Sequence, residues 1–288
     1  MVAFQLQRFG IHGICIIGGF EALLAMEVLV NARATYPQFC IPIVHLPATI
    51  SNNVPGTDFS LGSDTSLNRI VESCDLLRQS ATSSKGRAFV VEVMGGECGY
   101  LATMGGLAAG ASRVYIPEEG ISLAMLAEDV EMIKYKFKKS DANGRIILRN
   151  EAASATYTTQ MISSIFDEEG GKSDLFDCRT ANLGHMQQGG VPSALDRVRG
   201  ARLAAKCAEF LETQALCALG GAPDAFEIAV PAVYTKAEDS ACVIGIRGAR
   251  IALTPLRDAM ADADIVGRRP RSQWWRRVLP VLRLLTSE

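Results

Sequence analysis

Four short β-rich runs each lead into a glycine- or asparagine-rich loop, and helical periods separate them. Ile14-Cys15-Ile16-Ile17 leads into Gly18-Gly19, and Ile41–Leu46 into Thr49–Asn53. Ala88–Val93 leads into Met94-Gly95-Gly96, and Leu175–Leu183 into Gly184–Gly190. Continuous apolar runs of this length suit strands buried on both faces of a parallel sheet. The spacing predicts helices over Glu21–Ala34, from about Asp64, and over Tyr100–Gly110, Leu123–Lys139, Thr156–Glu169 and Ala194–Thr213. Ser63 or Asp64 is the expected cap of the second. Val114–Ile116 and Arg145–Leu148 add strands, and Cys242–Thr254 reads as two strands around Gly248. Strands alternating with helices predict an α/β fold, layered helix–sheet–helix around a mostly parallel sheet. Patterning is weakest at Ala218–Ala229, which reads as a loop or boundary and leaves open a minor domain split across the chain.

In a parallel sheet, ligands bind at the carboxyl ends of the strands, so four such loops on one sheet edge point to an anion-binding edge. Arg87, Arg149 and Arg179 accompany the loops. Guanidinium groups clamp phosphates, although each arginine alone equally suits a solvated or ion-paired role. His185 fits a phosphate contact or a hydrogen-bonded core histidine. Arg268–Arg283 holds six arginines, no acid, Trp274 and Trp275. We read the tryptophans there as packed and the arginines other than Arg268 as solvated. Pro280 must start or kink any helix in that stretch.

Composition narrows the class. The 288 residues carry 29 basic and 31 acidic side chains, a net charge of −2, which argues against a nucleic-acid partner. With 48% hydrophobic residues the chain is globular in type. Eight cysteines without a CxxC pair, beside three histidines, show no zinc-ligand spacing and read as reduced intracellular thiols. The longest uncharged apolar run, Leu101–Ala111, is too short to span a membrane. We expect a cytoplasmic protein with no membrane partner and no metal of its own.

Three strings carry a resemblance. Pro47-Ala48-Thr49-Ile50-Ser51-Asn52-Asn53-Val54-Pro55-Gly56-Thr57-Asp58 resembles the substrate loop of 6-phosphofructokinases. Glu92-Val93-Met94-Gly95-Gly96-Glu97-Cys98-Gly99-Tyr100 resembles their sugar-phosphate turn, and Leu183-Gly184-His185-Met186-Gln187-Gln188-Gly189-Gly190 their phosphate loop. Gln273-Trp274-Trp275 is similar to the end of the animal form. The resemblance runs from about Gly13 to Leu285 and is weakest over Leu211–Ser240. It implies a phosphofructokinase-like α/β/α fold and, across 1–288, the C-terminal regulatory half of an internally duplicated enzyme, truncated at its N-terminus. The absent stretch of that half would hold a nucleotide-side segment and a further phosphate-binding arginine.

Departures from the family pattern point to the regulatory half. Catalytic halves carry Thr-Ile-Asp-Asn-Asp. Here the base position is Ser51, so no catalytic residue is expected, and the metal-organising position is Asn53. A hydroxyl is a poor base at pH 7. Phe20 stands where catalytic halves follow Gly-Gly with Asp. The resemblance keeps the sugar side: Thr49, Ile50, Ser51, Asn52 and Asn53 along the sugar, and Met94, Gly95 and Gly96 as a backbone cradle. Glu151 would accept from sugar hydroxyls, and His185, Met186, Gln187 and Gln188 would form the phosphate loop. Arg87 and Arg179 would reach a phosphate across a subunit interface, and Arg268 would complete the site.

The implied ligand is fructose 2,6-bisphosphate or fructose 6-phosphate. The implied partners are a catalytic half and further copies in a tetramer. Mg²⁺ and ATP would serve the whole enzyme, with neither bound catalytically in this half. The alternative is a self-sufficient sugar-phosphate kinase with atypical catalytic residues.

Overall fold

The apolar runs can bury two faces only where helices cover both sides of a sheet, and the chain achieves this twice. The computed structural model describes residues 1–83, 86–139, 145–219 and 232–287. The chain divides into two compact units. The first comprises Met1–Thr49, Asn53–Leu61 and Ala194–Ser272; the second comprises Ile50–Asn52, Gly62–Ser193 and Gln273–Glu288.

In the first unit, β1 (Ile14–Gly18), β2 (Ile43–Pro47), β7 (Ala241–Arg247) and β8 (Arg250–Pro255) form one sheet in that order, numbered along the whole chain. The pairs β1–β2 and β2–β7 are parallel, and β7–β8 is an antiparallel hairpin. Alternation along the strands sends Ile43, Ala241 and Val243 to one face, against Leu23 and Met26 of α2 (Phe20–Asn31) and Leu256 and Ala259 of α8 (Leu256–Ala261). Val44, Cys242 and Ile244 go to the other, against Leu203, Cys207 and Phe210 of α7 (Ala194–Cys217). A short α1 (Val2–Arg8) packs Leu6 on Phe39 and Ile41.

The second unit holds an all-parallel sheet ordered β4 (Arg113–Tyr115), β5 (Arg145–Asn150), β3 (Arg87–Val93) and β6 (Asp177–Asn182). One face, with Val91, Val93 and Leu148, meets Ile70 and Cys74 of α3 (Ser63–Thr82) and Leu101 of α4 (Tyr100–Ala109). Trp275 joins that cluster and is 1% exposed. The opposite face, with Ala88, Val90 and Ile147, meets Val130 of α5 (Leu123–Lys138) and Phe166 of α6 (Thr159–Lys172). A last helix, α9 (Leu279–Ser287), carries Pro280 at its second position, so the ring's missing N–H costs no helical bond.

Each unit is therefore a helix–sheet–helix sandwich with mostly parallel strands. The expected single edge with four loops is corrected: two loops follow β1 and β2 of one sheet, and two follow β3 and β6 of the other. Boundaries moved for local reasons. Residues 41 and 42 stay outside β2 because the buried Arg33 guanidinium takes the carbonyls of Phe39 and Ile41 at 3.0 and 2.6 Å. Helix α6 starts at Thr159 rather than Thr156 because Thr158 caps it, and the Ser154 hydroxyl accepts from Thr156 and Tyr157 N–H. The expected Ser63 or Asp64 cap of α3 is absent; Gly62, at φ 92°, precedes a helix in which Ser63 is already the first residue. Most of the Ala218–Ala229 stretch lies outside the described residues.

All eight cysteines are free thiols. Among the described residues no helix is long and apolar enough to cross a membrane. Because Trp275 anchors the C-terminal segment in the second unit's core, Trp275→Ala should lower unfolding free energy by about 3–5 kcal/mol. Urea unfolding followed by circular dichroism measures this. A shift below 1 kcal/mol would show that the segment is not part of that core.

Candidate functional site

At the carboxyl ends of β3, β5 and β6 the second unit builds a polar cluster from turns. Gly95, at φ 153°, and Gly96, at φ 54°, turn the chain after β3 so that both amides donate to Glu151 Oε1, at 3.1 and 2.9 Å. A Cβ on Gly95 would sit 2.7 Å from Asn150 Nδ2 and 2.8 Å from the Cys98 carbonyl, so only glycine fits. Met94 N–H donates to Gln187 Oε1 at 2.8 Å. Gln187 is 1% exposed, and its Nε2 has no protein acceptor among the described residues.

Glu151 is aimed from beneath. Arg149, buried at the end of β5, donates to Glu92 Oε2 at 2.9 Å and to the carbonyls of Ser154 and Tyr157 at 2.6 and 3.1 Å. It also reaches the Glu151 carbonyl at 3.2 Å. Asn150 ties the turn at both ends, donating to Cys98 O at 3.0 Å and accepting from Ala152 N–H at 2.7 Å. Glu92 accepts from Asn182 at 2.7 Å and from the Thr159 hydroxyl. Arg149 is thus a positioning residue, and its guanidinium is committed to protein acceptors rather than to a phosphate.

The Leu183–Gly190 loop forms a 3₁₀ turn over Gly184–Gln187. It leaves His185, Met186 and Gln188 exposed and only Gln187 buried. His185 is therefore a surface side chain, and its core reading falls away. Ile50 packs on the cluster that contains Val93 and Leu183. Asn52 is 4% exposed with φ 53°, a left-handed conformation that asparagine tolerates better than most residues. Thr49 and Asn53 belong to the first unit, and Ile50, Ser51 and Asn52 to the second.

Arg87 and Arg179 do not join the cluster within this chain. Arg87 opens β3, so seven strand residues, roughly 23 Å, separate it from Met94. It forms a bidentate pair with Asp177, at 2.8 Å on both arms, and holds that carboxyl below its ordinary range. Arg179 makes a weaker contact with the same carboxylate at 3.4 Å and is otherwise exposed.

In the first unit, Asn53 Nδ2 donates to the Arg268 carbonyl at 2.9 Å, and the Arg268 guanidinium pairs with Glu21. Arg268 itself has φ 46°. Phe20 opens α2 directly after the Gly18-Gly19 turn and is 1% exposed. The Thr49 carbonyl accepts from the buried Ser60 hydroxyl at 2.6 Å. The Gly18 carbonyl accepts from His45 Nε2–H at 3.0 Å. Burial pushes the His45 imidazole down to about 4, and the Gly18 contact pulls weakly the other way.

Sequence reasoning missed Glu92, Asn150, His45 and Ser60 as supports. The signal for the first two was present: a glutamate inside Phe89–Val93 and a polar Arg-Asn pair closing an apolar run. Nothing local marks His45 or Ser60.

The family model for phosphofructokinase matches residues 1–211. The chain belongs to the phosphofructokinase family. The ATP-dependent 6-phosphofructokinase of Aspergillus niger is 45% identical over 288 residues, covering 98% of this chain and 35% of that protein. The human platelet-type enzyme is 43% identical over 286 residues, covering 99% and 35%. Among solved structures, Saccharomyces cerevisiae phosphofructokinase superposes with a TM-score of 0.89 at 37% identity, covering 99% of this chain and 36% of that one. Pichia pastoris phosphofructokinase in the T-state gives 0.88 at 41%, covering 99% and 32%. The chain thus spans about a third of the length of these relatives. Similarity reaches fungal as well as animal enzymes of the family.

The pH dependence of this family member should carry the His45 signature. The unfolded imidazole takes its proton near 6.5 and the folded one near 4, so between these values the unfolded state binds more protons. Stability should fall as pH drops through that window, by at most roughly 3 kcal/mol from this residue. Urea midpoints across the window should show the fall reduced in His45→Gln. Equal slopes in the two proteins would mean that His45 is not the group responsible.

Proposed function

We propose that the chain is the regulatory, sugar-bisphosphate-binding half of an ATP-dependent 6-phosphofructokinase, the enzyme that phosphorylates fructose 6-phosphate to fructose 1,6-bisphosphate. One combination carries this reading: an assembled sugar-side cluster beside a loop without carboxylates. Glu151, Gly95, Gly96, Met94 and Gln187 are hydrogen-bonded into one arrangement. Glu151 Oε2 is left to accept from a sugar hydroxyl, and the buried Gln187 Nε2 is a donor suited to a phosphate or hydroxyl oxygen. At the positions where the family pattern places base and metal-organising acids stand Ser51 and Asn53.

Magnesium nucleotide does not fit the chain's own residues. Phe20 fills the position after Gly18-Gly19, and the carboxylate that follows, Glu21, is paired with Arg268. In this reading ATP and Mg²⁺ belong to a catalytic half elsewhere in a cytoplasmic homo-oligomer, a tetramer by family pattern. The candidate bisphosphate contacts in this reading are Ile50, Ser51, Asn52, Met94, Gly95, Gly96, Glu151, His185, Met186, Gln187 and Gln188 of the second unit, and Thr49, Asn53 and Arg268 of the first. Arg87 and Arg179 act on a neighbouring copy's ligand, a reading supported by the strand that separates Arg87 from Met94.

The isolated chain should release no ADP from ATP and fructose 6-phosphate in a coupled assay. A positioned base contributes about 10²–10⁴-fold, and Ser51 supplies none. Turnover of roughly 1–100 s⁻¹ would establish the self-sufficient kinase instead.

Charge gives a second test. Ser51→Asp with Asn53→Asp places two carboxylates beside the sugar, where they oppose a second phosphate even at an effective dielectric of about 20. In a full-length background, calorimetry should show a larger affinity loss for fructose 2,6-bisphosphate than for fructose 6-phosphate. Equal losses would mean that the two positions act through loop conformation.

A further inference from the structure

Away from the sugar-side cluster, the first unit gathers positive charge where α7 meets the β7–β8 turn. Arg199 and Arg202 stand three residues apart on α7, so they share a helix face. Arg250 opens β8. The three line a cavity of about 180 Å³, walled otherwise by aliphatic side chains such as Val198, Leu203 and Ile251 and by no carboxylate. Like charges drawn together over an apolar wall repel unless an anion joins them.

The guanidinium of Arg199 is already held in place. It lies over the Phe59 ring, 4.5 Å from the centroid, and its Nη1 is buried without an acceptor among the described residues. Asp58, near this turn, accepts at Oδ2 from Gly248 N–H at 2.7 Å. A fixed fork, a buried donor with no acceptor and two further arginines describe a recognition geometry for a planar or tetrahedral oxyanion.

We infer that this cavity is an anion site for a small phosphate-bearing molecule with at least two negative charges. Arg199 supplies the fixed, desolvated donor. Arg202 and Arg250 are more exposed and close on the anion from the helix and the turn. Aliphatic walls keep water from screening the pairs and accommodate a compact organic body. None of these residues belongs to the sugar-side cluster, so the site stands whether or not the proposed regulatory function holds.

The test is calorimetric titration of the full chain with inorganic pyrophosphate, in which the substitutions below separate this cavity from the sugar-side cluster. We expect saturable binding that weakens as salt is raised. Arg199→Ala and Arg202→Ala should each weaken it about tenfold or more, the loss expected for a charge-assisted hydrogen bond. Arg250→Gln, on an exposed turn that leaves the helix packing intact, should weaken it severalfold. Absence of binding overturns the proposal. So does binding that survives all three substitutions in proteins with unchanged circular dichroism. If either helix variant fails to fold, Arg250→Gln decides, and unchanged affinity there overturns the proposal.

Discussion

A single carboxylate oxygen organises the sugar-side cluster. Glu151 Oε1 accepts from two consecutive glycine amides, and the turn after β3 holds its shape because that acceptor is present. Everything beneath serves to keep the oxygen there. Arg149 and Asn150 stiffen the turn that carries Glu151, and Glu92 neutralises Arg149 in a setting where an unpaired guanidinium would be costly. The arrangement converts an apolar sheet end into a preorganised row of donors and acceptors. Preorganisation matters for any polar ligand, whose groups exchange water contacts for protein contacts with little net gain unless the partners are already fixed.

The first unit achieves rigidity by a different route. Its Gly18-Gly19 turn is held by a neutral histidine and followed by the buried Phe20 ring. The acid that follows, Glu21, is drawn to Arg268, whose carbonyl in turn accepts from Asn53. Neutral groups in the turn and a paired acid beside it make poor cation ligands.

Much of this was legible in the sequence because strands and turns announce themselves locally. Apolar runs ending in glycine gave β1 and β3, and the Pro47–Asp58 and Leu183–Gly190 strings marked the loops that matter. What stayed hidden is long-range. No local pattern says that β2 pairs with β7 rather than with β3, so one main sheet is expected where the described residues form two four-stranded ones. Arg149 reads locally as a phosphate arginine because its protein acceptors, Glu92 of β3, Glu151, Ser154 and Tyr157 of the following loop and Thr159 of α6, come together only on folding. His45 and Ser60 act only on backbone carbonyls brought near by folding. Helix α6 starts at Thr159 rather than Thr156 because the Thr158 side-chain cap competes with helical periodicity.

The order of strands in the first unit also dictates when that unit can exist. Strand β2 is hydrogen-bonded to β7, nearly two hundred positions later in the chain, and the face of β2 that α7 covers waits for residues from 194 onward. During synthesis the β1–β2 pair therefore emerges early with one edge and one apolar face uncovered, while the second unit's sheet, drawn from 87–182, completes itself first. Contacts of such sequence separation form slowly, and an uncovered strand edge is where nascent chains stick to one another. Biogenesis of this protein is consequently most exposed to chaperone demand in the interval between translation of β2 and translation of the β7–β8 hairpin.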